Sequence, residues 1–356
     1  MFPPALIRSP KFKNQDLTLR GEFWRGNSVR VSGRSPASVA YPYTYGATSK
    51  EENALAAPLV SRKLLLPVDG SEHAERAAHY LAHFVETLNG SETIVLYVHP
   101  VEKVPTRAPD GSEIAFDLHD AGMTVSRRVR EILDQYNVRY RLDATLGDAA
   151  DVIAHVAEEE QVDELVMGSR GLSTWQGLVL GSVTQKVIHQ VAVPVTVVTP
   201  TQDEPSTGGS TSAIRRILFP TDSSTHAARA VEYICNLAAR GVPIEVEVLN
   251  VPAAVPQGML SAFLNAEVLN SHYGEASTPA LREACAALAS AQINFNTHVI
   301  PGHVAEQIVR LARERRCSNI VMGTRGLSAL GDLTLGSVAY QVVHLAPVPV
   351  TLVKSR

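Results

Sequence analysis

From residue 62 onward the chain alternates between two spacings of its apolar residues. Short runs in which almost every position is apolar, such as "KLLLPVD" (63–69), "TIVLYVH" (93–99), "VDELVMG" (162–168) and "VPVTVVT" (193–199), have the length and β-branched content of buried strands. Between them apolar positions fall three and four apart. Ala74, Ala77, Ala78, Leu81, Val85 and Leu88 share one face of a predicted helix, with Ser71 as its N-cap. "DLHDAGMTVSRRVREILDQYN" (117–137) predicts one amphipathic helix and "VRYRLDATL" (138–146) an alternating strand. "DAADVIAHVAEEE" (148–160) and "GSVTQKVIHQV" (181–191) predict two further helices. This β-α-β-α-β-α-β-α-β order is that of a mostly parallel sheet with helices on both faces.

The series then restarts. "RRILFPTD" (215–222) echoes the first strand, "EVEVLNV" (245–251) the second and "INFNTHVI" (293–300) the third. "PGHVAEQIVRLARER" (301–315), "CSNIVMG" (317–323) and "VPVTLVK" (348–354) complete the copy. A repeat this long is a domain duplication, because solenoid repeats run to about 20–50 residues. The expected organisation is a basic, poorly ordered extension over 1–61 with a short strand near "SVRVSG", a first domain over 62–200, a linker over 201–213 and a second domain over 214–356. Each domain is predicted to be an open five-stranded parallel sheet of order 3-2-1-4-5. Ligands in such sheets bind beyond the carboxyl ends of the strands, where the winding reverses. The two last strands, 193–198 and 348–353, are β-branched sheet edges expected to pair with each other inside one chain, or with a second copy in a homodimer.

Composition narrows the class. A chain of 356 residues with 45% hydrophobic and 19% charged residues suits two soluble globular domains. No apolar run reaches membrane-spanning length, and the start "MFPPALIRSPKFK" lacks the apolar core of a secretory signal, so no membrane partner is expected. Net charge is −4, unevenly spread: residues 1–49 carry Arg8, Lys11, Lys13, Arg20, Arg25, Arg30 and Arg34 against Asp16 and Glu22, about +5, and the remainder is near −9. An acidic body argues against nucleic acid as a partner. Cys235, Cys285 and Cys317 lack metal-ligand spacing and predict reduced, packing thiols in a cytoplasmic setting. His79 and His83 lie four apart but on a polar face with no carboxylate in the pattern, so no metal ligand is assigned.

Each copy also carries one glycine skeleton, "GSRGLSTWQGLVLGS" (168–182) and "GTRGLSALGDLTLGS" (323–337), that is, Gly-x₂-Gly-x₉-Gly-Ser. The first glycines let the backbone approach a ligand, and the Gly-Ser pair opens a helix whose unpaired N–H groups suit phosphate. Asp69 and Asp222 end the first strand of each copy, on the opposite lip of the expected crevice. Either can accept a ribose hydroxyl or help hold Mg²⁺. Arg170 and Arg325, inside the loops, can supply charge.

This spacing, after "VMG" and with "PVD" or "PTD" upstream, resembles the ATP-binding class of the universal stress protein family, over 63–199 and 214–354. The resemblance implies an adenine-nucleotide alpha-hydrolase-like fold and a tandem, ATP-binding stress-response regulator, with unidentified protein partners. By position, the first site would use Pro67, Val68, Asp69, Val98, Met167, Gly168, Ser169, Gly171, Gly181, Ser182 and Val183. The second would use Pro220, Thr221, Asp222, Val251, Met322, Gly323, Thr324, Gly326, Gly336, Ser337 and Val338. The cofactor would be ATP with Mg²⁺. The second copy departs from the first at His303, which replaces Asp148, and in the segment 252–278.

Rival nucleotide enzymes leave no trace: the sequence has no Walker P-loop, no Gly-x-Gly-x-x-Gly after strand 1, no Gly-x-Ser-x-Gly elbow and neither signature of the PP-loop or adenylating enzymes. No catalytic residue is named. Three readings stay open: a nucleotide-dependent regulator, a slow ATP hydrolase or self-phosphorylating protein using the same sites, and a scaffold with one or both sites empty.

Overall fold

The computed structural model describes residues 28–32, 62–86, 88, 90–104, 116–170, 180–199, 214–252, 279–326 and 335–355. In chain order the elements are β1 (Ser28–Ser32), β2 (Arg62–Val68), α1 (Glu72–Val85), β3 (Ser91–His99), α2 (Leu118–Val125), α3 (Arg127–Gln135), β4 (Tyr140–Leu146), α4 (Ala149–Glu159), β5 (Glu164–Gly168), α5 (Ser182–Gln190) and β6 (Val195–Val198). The second half repeats them as β7 (Arg215–Pro220), α6 (Thr225–Ala239), β8 (Ile244–Asn250), α7 (279–290), β9 (Asn294–Val299), α8 (Val304–Glu314), β10 (Asn319–Gly323), α9 (Ser337–Leu345) and β11 (Val350–Val353).

Each half has the predicted 3-2-1-4-5 order, but the two sheets are one. Eleven strands run β1-β4-β3-β2-β5-β6-β11-β10-β7-β8-β9. Every pairing is parallel except β6 with β11, where Val197 faces Val350, Thr196 faces Thr351 and Val195 faces Leu352. Equivalent threonines oppose each other at the centre, so the halves are related by a pseudo-twofold axis through the seam. β1 pairs with β4, Ser28 facing Arg141, so part of the extension adds an edge strand near the expected position. The rest of 1–61 lies outside the described residues, as do 201–213 and 253–278.

Two apolar layers flank the sheet, each running through both halves. One joins α1, α3, α6 and α7 around Phe84, Leu133, Phe219 and Leu288; the other joins α4, α5, α8 and α9 around Ile153, Val187, Ile308 and Val342. Burial of each helix stripe against a predominantly apolar sheet face supplies most of the stability of such a fold. The helix predicted over 117–137 is bent into α2 and α3 at Ser126. Its Oγ donates to the Gly122 carbonyl at 2.7 Å, while Arg130 Nη2 donates to the Met123 carbonyl at 3.0 Å. Side chains that engage helix carbonyls in this way bend helices.

Candidate functional site

At the carboxyl end of β2 the sequence Asp-Gly-Ser builds a turn. Asp69 Oδ1 accepts the Ser71 N–H at 3.0 Å and the Ser71 hydroxyl at 2.6 Å, Gly70 takes φ +81°, and Ser71 Oγ caps α1 by accepting the Ala74 N–H. After β7, Asp222 Oδ1 accepts the Ser224 N–H at 3.0 Å and Ser224 Oγ caps α6. There the left-handed position is held by Ser223, at φ +64°, a conformation uncommon for a residue with a Cβ. Each aspartate thus anchors the turn that carries it, and its carboxylate is presented at the strand end.

The opposite lip is the glycine loop. Gly181 donates to the Ser169 carbonyl at 2.8 Å and Gly336 to the Thr324 carbonyl at 2.9 Å, which brings the start of the next helix back over the strand end. Both α5 and α9 begin at a glycine cap without a side-chain hydrogen bond and without an acidic residue in the first turn. By contrast, Ser71, Asp148 and Ser224 cap α1, α4 and α6 with their side chains. Two uncapped helix ends, each with the positive end of its dipole toward a cleft, are suited to an anion. His303, in the place of Asp148, leaves α8 without a side-chain cap.

The motif glycines also answer to neighbours within the fold. A Cβ on Gly168 would come within 2.6 Å of the His73 Cβ, and one on Gly323 within 2.5 Å of the His226 Cβ. These glycines let the first turn of α1 or α6 pack on the strand end. A Cβ on Gly326 would sit 2.5 Å from Asp222 Oδ2, so that glycine makes room for the site carboxylate. A Cβ on Gly336 would meet the Thr324 carbonyl at 3.0 Å, within the loop itself. Helix–strand packing thus also calls for glycine at 168 and 323.

In the second half the two lips enclose a cavity of about 670 Å³. Pro220, Thr221 and Asp222 form one side, and Gly323, Gly326, Gly336, Ser337 and Val338 the other, over a floor that includes Met322 and Val251. In the first half the corresponding cavity is about 190 Å³. It gathers Pro67, Val68, Asp69, Val98, Met167, Gly168, Gly181, Ser182 and Val183. Ser169 and Thr324 are buried behind the loops, with hydroxyls that have no hydrogen-bond partner among the described residues. Gly171 lies outside the described residues. The positional reading missed the helix that closes each floor, Ala149 and Ile153 of α4, Val304 and Ile308 of α8. Their periodicity marked them only as core. Arg170 and Arg325 line their cavities.

Arg325, on the wall of the second cavity, stands in a cluster of basic groups. Burial, then Arg325 and Lys354, hold His226 below its ordinary pKa against the opposing pull of Asp222. Burial and Arg325 lower Lys354, while burial, Lys354 and Arg325 lower His189 of α5. Lys354 also donates to the His189 carbonyl, so this cluster joins the two halves. In the first half burial, Arg76 and Arg170 lower His73. His79 and His83 pack against Tyr136, with ring centroids 6.3 and 4.8 Å away. All three cysteines are free, Cys317 buried and the others half-buried, as expected of packing thiols.

A family model, the Universal stress protein family, matches residues 61–199 and again 213–354. A universal stress protein of Methanothermobacter thermautotrophicus is 34% identical over 134 residues, 36% of this chain and 88% of the relative. One of Synechocystis sp. is 22% identical over 317 residues, 81% of this chain and 98% of the relative, and so spans both halves. Among solved structures, a universal stress protein from Archaeoglobus fulgidus aligns with TM-score 0.54 at 23% identity, covering 83% of this chain and 97% of that one, a likeness of fold.

Proposed function

We propose that this chain, which belongs to the universal stress protein family as a tandem member, binds ATP in its two clefts and acts as a nucleotide-dependent regulator of a stress response in the cytoplasm. The observation that carries this reading is the second cavity. Its volume of about 670 Å³ lies within the range of about 300–1,000 Å³ typical of small-molecule sites. Its floor of Leu249, Val251, Ile308 and Met322 suits a planar apolar base. Its rim combines an uncapped helix end with Arg325, which suits phosphates, and Asp222 stands where a ribose hydroxyl or a metal ion would be met.

Mg²⁺ fits this arrangement because it is commonly held by one or two carboxylates, substrate phosphates and water. Asp222, or Asp69 in the first half, would hold it, and the ion would supply neutralisation of phosphate charge. The chain's own residues orient the triphosphate: the Ser337 and Val338 N–H groups at the helix start and the Arg325 guanidinium draw anionic oxygens to one lip. Titration calorimetry with ATP and Mg²⁺ tests this. Saturable binding is expected, weakened roughly tenfold or more in Arg325→Ala, since a hydrogen bond to a charged group contributes about 1.5–3 kcal/mol. No binding, or an unchanged isotherm in the variant, would overturn it.

A second reading, in which one site stays empty, is favoured by the first cavity. At about 190 Å³ it falls below that range, so the second half is expected to be the one that fills. Calorimetry should then show a single binding event, weakened by Asp222→Ala.

A further inference from the structure

The seam between the halves holds a buried row of polar side chains that is not symmetric. Glu164 at the start of β5 and Asn319 at the start of β10 occupy equivalent places, as do Thr196 and Thr351, Tyr80 and Tyr233, and Arg62 and Arg215. Glu164, Thr196 and Thr351 are 0% exposed and Asn319 is 2% exposed, so each polar atom depends on its neighbours rather than on water.

The hydrogens in this row can be placed by elimination. Glu164 Oε2 is bound by Arg62 Nη2 at 2.7 Å and by the Tyr233 hydroxyl, from the other half, at 2.8 Å. Burial and the Glu164 charge hold the Tyr233 phenol well above its ordinary pKa, so it stays a donor. The ion-paired carboxylate can only accept, and Thr196 Oγ1 therefore donates to Glu164 Oε1 at 2.5 Å. That uses the single hydroxyl hydrogen of Thr196. The 2.7 Å contact between Thr196 and Thr351 must then be a donation from Thr351. With its own hydrogen committed, Thr351 Oγ1 accepts from Asn319 Nδ2 at 3.0 Å. The same amide nitrogen lies 3.3 Å from the Tyr80 hydroxyl of the first half. The result is one directed relay across the pseudo-twofold axis: amide to hydroxyl to hydroxyl to carboxylate.

We propose that this seam is polarised, so that the Glu164–Thr196 edge accepts an Asn319–Thr351 edge and rejects a second copy of itself. Two first halves would set carboxylates at both ends. Both threonines would donate outward, and two hydroxyl oxygens would face each other at hydrogen-bond distance with no hydrogen between them. A buried row left unsatisfied in this way is costly, and a repulsive mismatch of this kind discriminates between partners. The long linker alone would permit exchange of halves between chains; the relay selects which half meets which.

The test uses the full chain. Asn319→Asp is nearly isosteric and reproduces the carboxylate-to-carboxylate seam within one molecule. Its unfolding midpoint at pH 7 is expected to fall by roughly 4 °C or more. The carboxyl would sit beside Tyr80 and Thr351, with Arg215 stacked on Tyr80 and Glu164, Arg62 and Tyr233 across the axis. Protonation returns a donor, so the folded form raises its pKa and the deficit relative to wild type shrinks as pH falls from 7 to 5. Glu164→Gln combined with Asn319→Asp turns the relay round, and the pair should lose less than the two single losses together. A deficit that is the same at pH 5 and pH 7, or strictly additive losses in the double variant, would overturn the proposal.

Discussion

Gly323 and Gly326 belong to one motif three residues apart, yet they answer to different neighbours, and alanine at each should fail differently. A Cβ on Gly323 meets the His226 Cβ at 2.5 Å and the His226 carbonyl carbon at 2.9 Å, both on the first turn of α6. Backbone cannot swing aside, so the helix must shift off a sheet end packed at crystal-like density. Overpacking of this kind costs about 1–3 kcal/mol, or roughly 3–12 °C of unfolding midpoint in a domain of this size. Among the described residues, a Cβ on Gly326 meets the Asp222 side chain alone, its Oδ2 at 2.5 Å. That carboxylate can rotate away at little cost in stability, but it then leaves the cleft. If Asp222 contributes one hydrogen bond to bound nucleotide, about 1 kcal/mol or somewhat more, ATP affinity falls roughly 5- to 10-fold. Thermal unfolding without ligand and calorimetry with ATP and Mg²⁺ separate the two effects. The reasoning fails if Gly323→Ala unfolds at the wild-type temperature, or if Gly326→Ala is the less stable variant and binds ATP normally.

The lowered histidines set an acid limit. His73, His189 and His226 are each held below their ordinary pKa, so as pH falls through about 6.5 the unfolded chain takes up protons before the folded one, and stability is lost on the acid side. The fall in unfolding midpoint between pH 7 and pH 5 should be smaller in His226→Gln than in wild type, and equal falls would count against the assignment. Burial first, then Glu247, push the Cys317 thiol up to about 12, so brief alkylation at pH 8 should leave Cys317 unmodified in the native protein, as peptide mass spectrometry would show. ATP turnover is expected to lie far below the roughly 1–100 s⁻¹ of kinases, because no P-loop lysine accompanies the cleft; a phosphate-release assay reaching that range would refute this.

Much of the architecture was legible in the chain because it rests on short-range physics repeated twice. Runs such as "KLLLPVD" can be stable only when both faces are buried, which calls for a parallel sheet between two helix layers. Crossover handedness then leaves little freedom in strand order. The positions of Asp69, Asp222 and the glycine loops at the strand ends follow from that order. Ser71 was readable as a cap because capping is local. The apolar, β-branched final strands likewise announced an edge in need of a partner.

What the linear pattern did not contain is who touches whom across the fold. Gly168 and Gly326 look alike in sequence, but one is shaped by His73, 95 positions away along the chain, and the other by Asp222. The cleft floors need Ile153 and Ile308, whose spacing says only that they are buried, not what they are buried beneath. The unequal cavities and the directed relay from Asn319 to Glu164 arise from contacts between residues far apart in sequence. Propensity and periodicity act over a few residues and constrain which elements form. The direction of a hydrogen bond or the depth of a cleft is decided by what tertiary packing brings within about 3 Å, and only the assembled structure holds that information.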